Sequence, residues 1–208
     1  KKEIIEIHTP KDFLKMKAFP GQEYHLKADI DLTGAEGERG VIPEFTGVLD
    51  GQHYKITGLQ KPLFDQLKGS VRNLAIEGST VELSDTPETV SGILANTMED
   101  AVVEQVLFHG IRVNSAAGKA AAVAGTVRNT TMKNLFVEGA VQAASTAAGV
   151  AVTTEGAVFE NIYLNVDVTG ADGADGRKRC RRKYLPQYLF GRRCGRPYAE
   201  AWWKYCTV

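Results

Sequence analysis

Four stretches of this chain align without a gap: Val71-Arg-Asn-Leu-Ala-Ile-Glu-Gly78, Val103-Glu-Gln-Val-Leu-Phe-His-Gly110, Met132-Lys-Asn-Leu-Phe-Val-Glu-Gly139 and Phe159-Glu-Asn-Ile-Tyr-Leu-Asn-Val166. Their amide residues stand at 73, 105, 134 and 161, so the pattern recurs after 32, 29 and 27 residues. Eleven residues ahead of the last three lies a second motif, small and apolar: Gly92-Ile-Leu-Ala-Asn-Thr97, Ala121-Ala-Val-Ala-Gly-Thr126 and Ala148-Gly-Val-Ala-Val-Thr153. Self-similarity at such a period is the signature of stacked repeats. Two strands per repeat are expected.

Inside the longer motif the apolar residues alternate: Leu74 and Ile76, Val106 and Phe108, Leu135 and Val137, Ile162 and Leu164. A period of two means a strand with one face buried. Strands of five or six residues cannot bury that face alone, so successive repeats must stack, and the product is an all-β fold, a parallel β-helix or solenoid. Stacking sets equivalent positions about 4.8 Å apart. Leu74, Val106, Leu135 and Ile162 then form one apolar column, and Ile76, Phe108, Val137 and Leu164 a second. Asn73, Gln105, Asn134 and Asn161 form an amide ladder with a structural role, its side chains bonding along the stack as in cross-β assemblies.

The N-terminal part reads as a cap. Thr9-Pro10-Lys11-Asp12 offers an N-cap, a proline for the first helical position and an acid in the first turn, so a short helix follows and should cover the end of the solenoid. Tyr24 to Leu32 alternates as a strand, and Gly34 to Gly40 is a polar loop. The expected division is residues 1–44 for the cap and lead-in strands, 45–176 for the repeats and 177–208 for a basic tail.

Gly47, Gly51 and Gly58 punctuate Phe45-Thr-Gly-Val-Leu-Asp-Gly-Gln-His-Tyr-Lys-Ile-Thr-Gly-Leu59. Glycine there supplies positive φ or close backbone approach. Leu49-Asp50-Gly51 signals a turn between strands at 45–49 and 53–57, which makes Asp50 a turn residue rather than a catalytic acid. This stretch, followed by Pro62-Leu-Phe64 and the Asn73-Leu74 repeat, resembles the Gly-rich, GLUG-type β-helix repeat region of streptococcal IgA1-specific zinc metallopeptidases and related surface proteins. The resemblance covers roughly residues 1 to 170. It implies a secreted, cell-wall-associated parent from a Gram-positive bacterium, with zinc in that parent and none in this chain. Gln52-His53 stands where the family usually has Asn-Gly, a departure confined to one tight turn.

The rest of the sequence narrows the chemistry. No apolar run approaches the ~20 residues of a bilayer span. The start at Lys1-Lys2, without methionine or a signal sequence, reads as a segment of a longer chain. A zinc hydrolase needs His-Glu-x-x-His or comparable ligands. Here His8, His25, His53 and His109 are scattered with no such spacing. Nucleophile elbows and phosphate-binding glycine loops are lacking too, so nucleotide and nucleic-acid binding are not expected. Asp29 with Asp31, and Asp172 with Asp175, are too few for a calcium shell of 6 to 8 oxygens.

One polar column invites a catalytic reading. Glu77, His109, Glu138 and Asn165 precede the last motif position, and on adjacent turns they place a histidine between two carboxylates, which favours the charged imidazole. Two carboxylates of a strand face can serve as acid and base in a polysaccharide lyase or hydrolase. The alternative is a solvated strand face.

The tail differs in kind. Of 25 Lys and Arg and 25 Asp and Glu, residues 177–208 hold ten and one, a net charge of +9, leaving residues 1–176 with fifteen and twenty-four, a net of −9. The tail also holds all three cysteines and both tryptophans. Read as protein, Arg177-Lys-Arg-Cys-Arg-Arg-Lys183 is a site for anionic polymers. Read one nucleotide out of frame, Trp202-Trp203-Lys204-Tyr205-Cys206 becomes Gly-Gly-Asn/Ser-Ile/Thr-Val/Ala, a solenoid motif, and the tail is then a frameshift product beginning near Gly176. Such a tail should pack poorly on the last turn. The leading expectation for the chain is a non-catalytic spacer or binding module within a longer polypeptide; a carbohydrate-active enzyme and an adhesin for host immunoglobulin or matrix protein are the alternatives.

Overall fold

A computed structural model describes residues 4–83, 86–170 and the backbone of 183–185. The chain winds as a parallel β-solenoid. Its first turn is β1 (Ile4–Ile7), helix α1 (Pro10–Phe13) and a 3-10 turn over Leu14–Lys17. The second holds β2 (Glu23–Leu26), β3 (Ile30–Asp31) and β4 (Ile42–Phe45). The third holds β5 (Val48–Asp50), β6 (Lys55–Thr57) and β7 (Phe64–Leu67). β8 (Ser70–Glu77), β9 (Thr80–Leu83), β10 (Val90–Ser91) and β11 (Ala95–Glu99) make the fourth. The fifth is β12 (Val102–Ser115), β13 (Lys119–Ala121) and β14 (Ala124–Arg128), and the sixth β15 (Thr131–Ala143), β16 (Ala147–Ala148) and β17 (Ala151–Glu155). β18 (Val158–Thr169) opens the seventh, and β19 (Lys183–Leu185) lies against it.

Three sheets run along the axis. The first takes β1-β2-β5-β8-β12-β15-β18-β19, with β3, β6 and β9 beside that path; the second takes β4-β7-β11-β14-β17; the third takes β10-β13-β16. Every pairing is parallel except β18 with β19, where Tyr163 faces Tyr184. The apolar columns fall in register as the alternation requires: Leu74, Val106, Leu135 and Ile162 pair in succession, as do Ile76, Phe108, Val137 and Leu164. Leu164 is half-buried and the other seven are closed to solvent.

The structure departs from the sequence reading in several places. Three strands recur per full turn rather than two, because the alanine-rich third strand has only two or three residues and shows no alternation. The stack begins at β1, so residue 45 is not a boundary of the fold and falls at the end of β4. The strand expected over 45–49 is divided: Phe45 closes β4 in the second sheet, Thr46-Gly47 turns the corner, and Val48 opens β5 in the first. The Tyr24–Leu32 strand is likewise β2 and β3 with a break at Lys27–Asp29.

The short helix forms where its caps place it. Thr9 Oγ1 accepts from Asp12 N at 3.2 Å and the Asp12 carboxylate accepts from Thr9 N at 3.1 Å, a reciprocal capping box. The helix and the following 3-10 turn bury Phe13 and Met16, and the 3-10 turn lies against β4, the edge of the second sheet. That edge is thereby closed to further strands.

Candidate functional site

The outward face of the first sheet carries most of the residues singled out from sequence. Asn73, Gln105, Asn134 and Asn161 all have left-handed backbones, with φ of 52°, 54°, 54° and 54°. They kink each long strand at one place, and asparagine tolerates that region better than most residues. Asn161 Nδ2 donates to Asn134 Oδ1 at 3.0 Å, and Asn73 Nδ2 donates to Asp50 Oδ1 at 3.1 Å.

Asp50 is nearly closed to solvent. Burial pushes its carboxyl up, but donors from Arg72 Nε at 2.8 Å, Gln52 N at 3.0 Å and Asn73 outweigh this and hold it at about 2. A buried carboxylate with all these donors is an anchor. Just after it, Gln52 and His53 both take positive φ, 49° and 66°, and Tyr54 N donates to Gly51 O at 2.8 Å, as a type I′ turn requires. Gly51 is required for a different reason: a Cβ there would stand 2.5 Å from the Asn73 carbonyl oxygen. Gly58 has φ 71°, whereas Gly47 forms the corner between β4 and β5 and donates its N–H to Pro20 O at 2.8 Å.

Glu77, His109 and Glu138 do share a column, with Glu77 paired to His109 and Glu138 to Asn165. His109 Nε2 is 3.7 Å from Glu138 Oε1, and Lys55 Nζ is 3.3 Å from Glu77 Oε2. Between β12 and β15 the register slips, Phe108 facing Val137 but Ile111 facing Gly139, so His109 and Gly110 together oppose Glu138. Two strand spacings, about 9.6 Å, separate the Glu77 and Glu138 positions along the stack. The nearest partners of both carboxylates are a lysine and a histidine on the same exposed face. Beside them Phe136 and Tyr163 stack on each other, centroids 4.6 Å apart at 11°, which covers one ring face of each.

Asp29 accepts from Lys55 N at 3.0 Å, a bond between neighbouring turns of the stack, and Asp31 accepts from Thr33 N and Oγ1 at 2.9 and 2.6 Å, closing a local turn. Among the described residues no group of three His, Cys, Asp or Glu side chains could hold a metal ion, so the donor set here does not fit a catalytic zinc. Asp172, Asp175, the cysteines and the basic cluster lie outside the described residues, apart from the backbone of Lys183.

A feature the sequence reading missed runs the length of the first sheet. Glu6, His25, Asp50, Arg72, Glu104, Lys133 and Glu160 pair in register, turn after turn. From Asp50 onward the sign alternates without exception. Arg72 binds Asp50 at 2.8 Å and reaches Glu23 at 3.6 Å, Lys133 binds Glu160 at 3.1 Å, and His25 Nε2 lies 3.0 Å from Glu23. The second sheet has its own column, in which Glu99, Arg128 and Glu155 pair in register and Arg128 lies 3.7 Å from Glu155. Lys68 precedes them; a hydrogen bond from Lys68 to Glu44 and the field of Glu99 raise its pKa. Opposite charges on neighbouring strands favour one register, and like charges oppose it. The signal was present in the aligned motifs, at the position just before each amide.

No curated protein matches this chain. The crystal structure of a candidate immunoglobulin A1 protease from Bacteroides ovatus is similar at a TM-score of 0.63 and 19% identity, over 79% of this chain and 59% of that one. That likeness is one of fold, and this chain spans less than two thirds of that protein's length. By sequence, residues 11–110, just under half of the chain, match the family model of the M26 IgA1-specific metallo-endopeptidase N-terminal region.

Proposed function

We propose that this chain is a non-catalytic β-solenoid spacer or binding module, the spacer role leading, of a secreted bacterial surface protein, the accessory N-terminal region of an IgA1-type zinc metallopeptidase. The observation that carries the reading is the match of residues 11–110 to the N-terminal region of that family, together with side chains committed to holding a stack. Asp50 is used as an anchor, the amides sit at kinks, and the charged columns pair turn with turn. On this reading the zinc and the peptide-cleaving groups belong to another part of the parent polypeptide. Among the described residues no helix is long and apolar enough to cross a membrane.

The module works by geometry. Seven turns from β1 to β18 make six steps of about 4.8 Å, a stiff block about 29 Å tall, which sets a catalytic or adhesive part at a fixed distance. The GLUG-type resemblance of residues 45–59 and the cell-wall setting belong to the same reading. The test is to incubate the purified chain with human IgA1, with and without added zinc, and to measure its direct binding to IgA1 and matrix proteins on a sensor surface. Neither cleavage nor binding is expected of a spacer. Zinc-dependent cleavage would overturn the non-catalytic reading, and saturable binding would replace the spacer role with an adhesive one.

A further inference from the structure

The two charged columns run side by side, on either side of the corner where the second sheet passes into the first. Each corner carries one sign in both. Lys68 and Arg72 flank one corner, Glu99 and Glu104 the next, Arg128 and Lys133 the next, and Glu155 and Glu160 the last described corner. In the last three the two charges stand five residues apart, at 99 and 104, 128 and 133, 155 and 160. Asp100, Asn129 and Gly156 turn these three corners with φ of 52°, 45° and 60°. Backbone and charge repeat together.

The stack therefore ends, among the described residues, on an acidic corner. Arg128 and Lys133 approach Glu155 and Glu160 from the preceding corner. On the other side, among the described residues, no strand pairs with β17, and β19 covers only Ile162–Leu164 of β18. We infer that the edge formed by Ala151–Glu160 is a docking surface for a parallel strand–corner–strand segment carrying two cationic side chains five residues apart. The segment is a cationic rung of the same repeat type. A cation facing each glutamate continues an alternation that Asp50, Arg72, Glu104, Lys133 and Glu160 already hold across four steps. Main-chain hydrogen bonds at the strand edge supply affinity, and the paired charges select partner and register.

A second copy of this chain does not fit the same edge. Its first turn presents Glu6 in the column that ends at Glu160, so end-to-end stacking sets carboxylate against carboxylate. Its second-sheet position is moreover occupied by the 3-10 turn rather than a strand. The inference rests on the spacer reading, in which further rungs belong to the same assembly.

The probe is a labelled synthetic peptide with the sequence of residues 124–133, which carries Arg128 and Lys133, added to the full chain at low salt and followed by fluorescence anisotropy. The controls are a scrambled peptide of equal charge and a peptide with both cations changed to glutamate. Saturable binding below about 1 mM is expected for the first alone. In the chain, Glu155→Lys with Glu160→Lys should weaken it at least about tenfold and make the glutamate peptide the better ligand. Glu155→Gln with Glu160→Gln, checked for an unchanged circular dichroism spectrum, serves should the reversed pair not fold, and should give the same weakening. No saturation, or equal binding of the scrambled peptide, overturns the inference. Either result leaves the cleavage and IgA1-binding test of the spacer reading standing separately.

Discussion

Phe64 and Ala124 occupy the same inward column of the second sheet, two turns apart, and they show how the solenoid changes along its axis. The column reads Ile42, Phe64, Ala95, Ala124, Ala151. Toward the N-terminus the interior is filled by rings, the wide side chains of the core: Phe45 lies 6.1 Å from Tyr24 and 5.2 Å from Phe64, and all three are fully buried. Toward the C-terminus it is lined by Ala120, Ala122, Ala124, Ala147 and Ala151, and the ring pair Phe136–Tyr163 has moved to the outer face. One sheet architecture thus tolerates two fillings of the core, wide rings in one part and thin alanines in the other. Short strands and long loops accompany the wide part, and long strands of 12 to 14 residues the thin part.

The largest effect should come from forcing the thin core onto the wide region. Phe64→Ala opens a cavity among Tyr24, Phe45 and the flanking apolar residues and should cost about 3–5 kcal/mol in chemical denaturation. The reverse change, Ala124→Phe, overpacks the narrow turns by a whole ring and should cost at least about 1–3 kcal/mol. If Phe64→Ala costs no more than a surface substitution, the two regions do not differ in packing.

The second effect separates the ends of the charged column. At Asp50 the link is buried; at Glu160 it is half-open. A carboxyl held at about 2 when folded and near 3.9 when unfolded contributes stability that is fully present above pH ~4 and is lost as pH falls through about 2. The contribution is on the order of 2 kcal/mol at neutral pH. Asp50→Asn should remove most of it, and the variant's stability should fall less between pH 4 and pH 2 than that of the parent protein. An unchanged slope would assign the acid sensitivity to other carboxylates.

The same contrast explains how much was legible in sequence. The thin, regular turns announce themselves, because four gapless motifs with alternating apolar residues leave one buried face and therefore one stacking geometry. The wide turns contain the same sheet but not the same spacing: β5 and β6 do on two short strands what β8 does on one, since Gln52 and His53 loop out opposite the kink at Asn73. Their membership in the stack was hidden as a cap. The third strand escaped because two or three alanines carry no period. The role of Asp50 was legible only in part: the turn was, whereas Arg72 reaches it from 22 residues away through the stack. The charge alternation was visible as letters but has meaning only once the register puts those letters side by side.

A smaller effect tests what the amide column is for. At Asn134 the left-handed backbone should make alanine costly, by about 1 kcal/mol, because alanine keeps the Cβ that crowds the following carbonyl and loses the polar side chain by which asparagine offsets that crowding. Glycine fits that conformation and loses only the side-chain bond with Asn161, so Asn134→Gly should be the milder change despite removing more of the side chain. Should alanine and glycine cost the same, the side-chain ladder rather than the kink sets the preference for amides. Asn73 is the counterpart in the wide region. Its amide also binds Asp50, so both changes there should cost more than at Asn134.

The smallest effect lies at the thin end of the charged column. Lys133 and Glu160 are 3.1 Å apart and both reach solvent, so a double-mutant cycle of Lys133→Ala and Glu160→Ala should give a coupling of about 0.2–1 kcal/mol that shrinks in salt. The same cycle on Arg72 and Asp50 should give a larger coupling with little salt dependence, since the Asp50 carboxylate is buried and loses a charged partner. The comparison matters more than either value. Equal couplings would mean that burial at the wide end adds nothing to register, and that the alternation acts there, as at the thin end, only by excluding like-charged neighbours. A large ratio would make the Asp50–Arg72 link the point at which the irregular turns are locked in phase with the regular ones, from which the later, weaker links need only keep the count.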